Sequence, residues 1–154
     1  MVWTGTSSLL SGNSAGLNGG GLQLVNGSTV MLDGFTISDN VAEASGGGIS
    51  AQAVAKEVLV RNVLILRNTA SKNGGGVYAE NSWVTLESSS LDSNKAGNQG
   101  HGAAGKSLTA ARTLAGDAVT FSGTPSQIVY HLDLGKPFTF TTPASFTCDN
   151  LGCY

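Results

Sequence analysis

Apolar residues in this chain fall in short, partly alternating stretches, and none runs with a helical period. The clearest are "STVMLDGFTIS", "EVLVRNVLIL" and "SWVTLESSSL", rich in Val, Ile, Leu, Phe and Thr and bounded by Gly, Asn and Ser. That is strand composition on a half-buried surface. No segment offers ten or more residues of helical spacing with caps. Each stretch predicts strands of three to five residues, with corners at "DG", at an asparagine and near the glycines.

The stretches repeat. Glycine triplets begin at Gly19, Gly46 and Gly74, and a degenerate copy, "GHGA", begins at Gly100, giving steps of 27, 28 and 26. Asn13, Asn40, Asn68 and Asn94 precede these blocks with the same steps. Two residues after each asparagine stands an alanine: Ala15, Ala42, Ala70 and Ala96. Three residues before it stands Leu10, Ile37, Ile65 or Leu91, and further upstream Trp3, Val30, Val58 and Val84 share a column. A fixed period of this length marks a solenoid.

Two solenoids fit the period. "LDGFTISDN" and "VRNVLILRN" match the leucine-rich signature, L-x-x-L-x-L-x-x-N. In a leucine-rich repeat the residues after the asparagine form a helical segment. Here that place holds small residues and three glycines, which are poor helix formers. The fold expected is therefore all-β: a right-handed parallel β-helix of about four coils with a C-terminal β segment or cap. Equivalent residues then stack about 4.8 Å apart. The Trp3–Val84 and Leu10–Leu91 columns should face inward. A corner asparagine tolerates positive φ and can bond the adjacent coil. The glycines should allow a corner closed to other residues and let stacked backbones approach.

Residues 1–105 read as the β-helix repeats, and 106–154 as a degenerate last coil and β cap. "DAVTFSG", "QIVYHLDL" and "PFTFTT" are the strands expected there. A solenoid needs caps to cover its open ends. The N-terminal end shows none, so the expectation is a module of a longer chain, with that chain's other coils as partners.

Charge narrows the partners. Only 12% of residues are charged and the formal net charge is −2. No electrostatic reason for binding nucleic acid follows, and no apolar run is long enough for a membrane-spanning helix. The N-terminus lacks the features of a signal peptide. Cys148 and Cys153, in "TCDNLGCY", could form a small disulfide loop, remain free thiols or supply half a metal site. The disulfide is the favoured reading, and no metal or other cofactor is expected. "NGS" at Asn26–Ser28 is a glycosylation pattern, read here as a turn.

At the repeat the chain resembles the chlamydial polymorphic outer membrane proteins, whose repeats pair F-x-x-N with G-G-A-[ILV]. The matching residues are "LSGN", "ISDN", "ILRN" and "LDSN", followed by "GGGL", "GGGI", "GGGV" and "GHGA". Leu or Ile replaces Phe, and Gly replaces Ala in three copies. A fifth copy, "FSGT" at Phe121–Thr124, keeps the Phe and has lost the Asn. The resemblance covers residues 3–105. It implies a secreted or cell-surface, extracellular module with an adhesive role, meeting surface carbohydrate or a host protein.

Many β-helices degrade polysaccharides, so a fragment of a pectin-lyase-like enzyme is the rival reading, and a carbohydrate- or ice-binding module a third. A glycosidase needs two carboxylates across the scissile bond. The ten acidic residues here are scattered. "GHG" at Gly100–Gly102 resembles a motif of polygalacturonase-like hydrolases, but the companion N-T-D and D-D are missing, so His101 reads as an exposed corner residue. His131 reads as a solvent-facing strand residue. No repeat column of Thr supports ice binding. Asp33, Arg61 and Glu87 share one column and Asp39 and Arg67 another. Alternating charges on adjacent coils read as exposed register devices, not as an active site. The expected function is a non-catalytic structural and adhesive module, with the four asparagines as a structural ladder.

Overall fold

The computed structural model describes residues 1–27, 29–54, 56–107, 114–117, 119–121, 129–133, 138–141, 146–149 and 152–153; beyond residue 106, side chains are described only at 119 and 120. Among the described residues there is no helix. The chain winds as a right-handed parallel β-solenoid of about four coils, which excludes the leucine-rich horseshoe.

Three parallel sheets line the coils. One stacks Leu22–Val25, Ile49–Gln52, Val77–Glu80, Ala103–Ser107 and Val129–Asp133 in chain order. A narrow sheet stacks the residues after each ladder asparagine: Ser14–Ala15, Val41–Ala42, Thr69–Ala70 and Lys95–Ala96. The large sheet bends at a corner. Before the corner Val30 pairs with Val58, Val58 with Val84 and Val84 with Leu114. After it Leu10, Ile37, Ile65, Leu91 and Phe121 form one continuous column. The Phe of the degenerate fifth copy thus keeps its place in the stack. Antiparallel pairing appears at the C-terminal end, where Phe138–Thr141, Phe146–Asp149 and Gly152–Cys153 meet edge to edge.

Leu32, Ile37, Ile49, Val58, Val60, Val63, Ile65 and Leu86 have no exposed surface. Burial of each such side chain contributes about 1.5–3 kcal/mol, so the core is a rod of stacked aliphatics. Trp3 departs from its expected column. Thr4 pairs with Asp33, a step of 29, whereas Ser8 pairs with Phe35, a step of 27. Two additional residues, Gly5 and Thr6, therefore interrupt the first coil. Trp3 pairs with Leu32 instead of Val30 and remains 42% exposed, stacked on Phe35 with ring centroids 6.4 Å apart. The two-residue insertion preserves the alternation of faces, so the apolar pattern alone cannot expose it.

The asparagine corner also differs from expectation. Positive φ belongs to the preceding residue in each coil: Gly12 (69°), Asp39 (58°), Arg67 (52°) and Ser93 (54°). The asparagines lie outside the left-handed region, and their role is in hydrogen bonding.

Candidate functional site

Each interior asparagine bonds in both directions along the stack. Asn40 Nδ2 donates to Asn68 Oδ1 (2.9 Å) and to the Leu10 carbonyl of the preceding coil (3.0 Å). Asn68 Nδ2 donates to Asn94 Oδ1 (3.0 Å) and to the Ile37 carbonyl (2.9 Å). The backbone N–H of Asn13, Asn40 and Asn68 each donates to the next asparagine's Oδ1. Asn40 and Asn68 are fully buried, Asn13 is exposed and Asn94 half-buried.

The glycines divide the remaining work at this corner. The first of each block takes positive φ: Gly19, Gly46, Gly74 and Gly100, at 64–70°. The second needs space. A Cβ on Gly47 would fall on the Gly75 carbonyl oxygen and 2.6 Å from the Thr69 carbonyl. The third lies against the ladder: a Cβ on Gly48 would come 3.1 Å from Asn68 Nδ2. Backbone bonds run along all three, with the N–H groups of Gly46, Gly47 and Gly48 donating to the carbonyls of Asn73, Gly74 and Gly75.

His101 stands where earlier coils have their second glycine. It is half-buried, not exposed as its sequence implied, and its Nδ1 accepts the Ala96 backbone N–H at 2.9 Å. Lys95–Ala96 is the last strand of the narrow sheet. The ring therefore satisfies a donor at that sheet's end, which explains why a side chain appears there.

Two serines missed by the sequence reading do similar work. Ser82 Oγ accepts the Val54 N–H (2.9 Å) and Ser89 Oγ the Val63 N–H (3.1 Å); each donates to the carbonyl two residues upstream. Serine is common in this chain, and only alignment to the corners would have singled these out.

The charged columns stack on the outside. Arg67 grips Asp39 bidentately, Nε to Oδ1 at 2.7 Å and Nη2 to Oδ2 at 2.8 Å. Arg61 Nη2 donates to Asp33 Oδ2 at 2.7 Å, and Asn62 Nδ2 to Asp33 Oδ1 at 2.8 Å. The Arg61 and Asn62 donors hold the Asp33 carboxyl below the usual carboxylate range, and Arg67 does the same for Asp39. Glu87 pairs in register with Arg61.

At the Asp33 corner lies an open cleft of about 600 Å³, lined by Thr4, Gly5, Asp33, Gly34 and Asn62. Its corner column is left-handed in every described coil: Ser7 (73°), Gly34 (76°), Asn62 (53°) and Ser88 (45°). The cleft opens beside the two-residue insertion of the first coil. Asp33 is the one carboxylate among its lining residues.

Cys148 and Cys153 stand opposite each other in the antiparallel pairing; their side chains, that of His131 and the residue Ser28 of the "NGS" pattern lie outside the described residues. Asn26 is exposed, with φ of 50°. Among the described residues no three His, Cys, Asp or Glu side chains are grouped to hold a metal. No described helix is long and apolar enough to cross a membrane.

The family model described as "Right handed beta helix region" matches residues 1–115. The chain is also 30% identical over 88 residues to "Probable outer membrane protein pmp20" of Chlamydia pneumoniae, covering 45% of this chain and 5% of that protein. It thus spans about a twentieth of the length of that relative. No solved structure matches significantly.

Proposed function

The chain belongs to the right-handed β-helix family, and from that premise we propose that it is a non-catalytic, adhesive module of a cell-surface protein. The observation that carries this reading is the similarity of part of the chain to a chlamydial outer membrane protein. The geometry supports it. The buried asparagines, the glycine backbone and the corner serines Ser82 and Ser89 are engaged in bonds between coils. Asp33 and Asp39 are each engaged by an arginine. The outer faces carry exposed apolar side chains, among them Leu9, Leu64 and Trp83, which suit a contact surface. The four asparagines act as the structural ladder. Residues 1–105 are the repeats and 106–154 the terminal coil and cap, with other coils of a longer parent chain as neighbours.

Beads coated with the purified chain should adhere to cultured epithelial cells, and soluble chain should compete. The same protein should release no reducing ends or unsaturated products from polygalacturonate or alginate. Turnover of either polymer, lost on Asp33→Asn, would replace the adhesive reading with the enzymatic one.

A further inference from the structure

The cleft at the Asp33 corner is not used by the ladder or the core. It has a specific origin. Gly5 and Thr6 are additional to the repeat, and the strand on one side leaves register between Thr4 and Ser8. Such irregularities re-aim side chains and commonly border binding sites. The resulting space, about 600 Å³, lies in the range of small-ligand sites.

We propose that this cleft is a subsite for one neutral sugar residue of a glycan, held by Thr4, Asp33 and Asn62. The proposal rests on the adhesive reading and names its contact point. Among the described residues each Asp33 oxygen accepts one hydrogen bond, and a carboxylate oxygen has room for two. A carboxylate with a free site on both oxygens accepts from two neighbouring hydroxyls, the arrangement a pyranose ring presents. The Thr4 hydroxyl both donates and accepts, and the Asn62 carboxamide oxygen accepts. Gly5 and Gly34 line the cleft without side chains of their own, the place of a Cβ on Gly5 being taken by the Ser8 side chain. Leu9 (63% exposed) and Leu64 (46%) occupy one outward column on the strand leaving this corner, where a sugar's C–H face can rest.

Other ligand classes fit less well. A calcium ion takes six to eight oxygens, and here the single carboxylate is already paired with Arg61. An anion would meet the Asp33 charge, which its donors keep ionised at neutral pH.

The test is saturation-transfer NMR on the 154-residue chain with methyl glycosides of glucose, galactose, mannose and N-acetylglucosamine, and with N-acetylneuraminic acid. At least one neutral glycoside should bind, and the acidic sugar should not. Gly34→Asn places a side chain in the cleft, and the corner should accept it because Asn62 holds the equivalent position in the same left-handed conformation. Thr4→Val removes a hydroxyl, and Asn62→Ser copies Ser88 of the next coil. With far-UV circular dichroism unchanged, each variant should weaken binding roughly tenfold or more. The proposal is overturned if no neutral glycoside binds, if binding survives Gly34→Asn, or if the acidic sugar binds more tightly. Cell adhesion by the Gly34→Asn chain at wild-type level would overturn the cleft as the contact point and leave the adhesive reading standing. Glycoside binding without cell adhesion would do the reverse.

Discussion

Two corners of the same coils use glycine for opposite ends. At the asparagine corner, Gly20, Gly47 and Gly75 form a column in which a Cβ would collide with the next coil's backbone. At the Asp33 corner, the column of Ser7, Gly34, Asn62 and Ser88 demands only a left-handed φ, and three of its four members carry side chains. The first corner is limited by space, the second by dihedral angle. A solenoid can vary its surface at the second kind of corner while the first holds the register. That is why the cleft lies at one and the buried ladder at the other.

The largest test of this contrast is a methyl group. Gly47→Ala should cost more than about 3 kcal/mol or prevent folding, because the obstacles, at Gly75 and Thr69, are both backbone of the next coil. Gly34→Asn should change stability by less than about 1 kcal/mol, since asparagine tolerates the left-handed region. Urea unfolding of the two variants measures both. Equal costs would erase the distinction between the corners.

The ladder gives the next effect. Asn68→Ala removes the donor to the Ile37 carbonyl, the acceptor of the Asn40 backbone N–H and one of the two acceptors of Asn40 Nδ2, which keeps its bond to the Leu10 carbonyl. A loss of roughly 2–3 kcal/mol is expected. Asn62→Ser, at the open corner, should cost less than about 1 kcal/mol, because its hydrogen bond to Asp33 is exposed. Asn13→Ala should fall between, its side chain being exposed with the same forward bond. A similar loss at all three would show that burial does not set the value of these amides.

Much of this was legible in the sequence, and the reason is stacking. Ile37, Ile65 and Leu91, or Asn40, Asn68 and Asn94, occupy equivalent environments in successive coils, so the period appears in the residue types themselves. The charged columns were legible for the same reason: Asp33 and Asp39 each meet an arginine one coil on. Backbone conformation was not. Gly12, Asp39, Arg67 and Ser93 share φ but no chemistry, so the repeat marks the asparagine one residue later instead. The cleft was hidden because it arises from two residues that do not repeat. Trp3 was misplaced by the same insertion.

Tyr78 sharpens the contrast from the closed side. It points outward from its strand, yet is only 7% exposed, and its backbone lies against the glycine corner: a Cβ on Gly74 would come 3.0 Å from the Tyr78 Cα. Burial, with Glu80 nearby, pushes its phenol up to about 12. An unfolded tyrosine ionises near pH 10, so the folded chain binds the proton more tightly. The resulting stability is full below about pH 10 and is lost as pH rises toward 12. Wild type and Tyr78→Phe should therefore converge or cross over that interval in urea titrations. Parallel curves would mean that burial does not raise the Tyr78 phenol in the folded chain.

The smallest effect belongs to the Asp33–Arg61 pair at the open corner. Its geometry is good, at 2.7 Å, but the Arg61 side chain is 41% exposed. Solvent screens such pairs, and holding two side chains in place offsets much of the attraction. Arg61→Gln should shift the unfolding midpoint less than Asn13→Ala does. What shift there is should have a definite pH signature. The Arg61 and Asn62 donors make Asp33 more acidic in the folded chain than in the unfolded one. The pair's contribution is therefore present above the ordinary carboxylate pKa of about 4 and is lost as pH falls through the lower folded value. Roughly 1 M salt should shrink it too. The difference between wild type and Arg61→Gln, followed by thermal unfolding from pH 7 to pH 3 at low and high salt, should be small at pH 7 and shrink further as pH falls below about 4. A midpoint shift as large as that of Asn68→Ala, insensitive to salt, would place Arg61 among the buried supports of the coil and make the two corners alike.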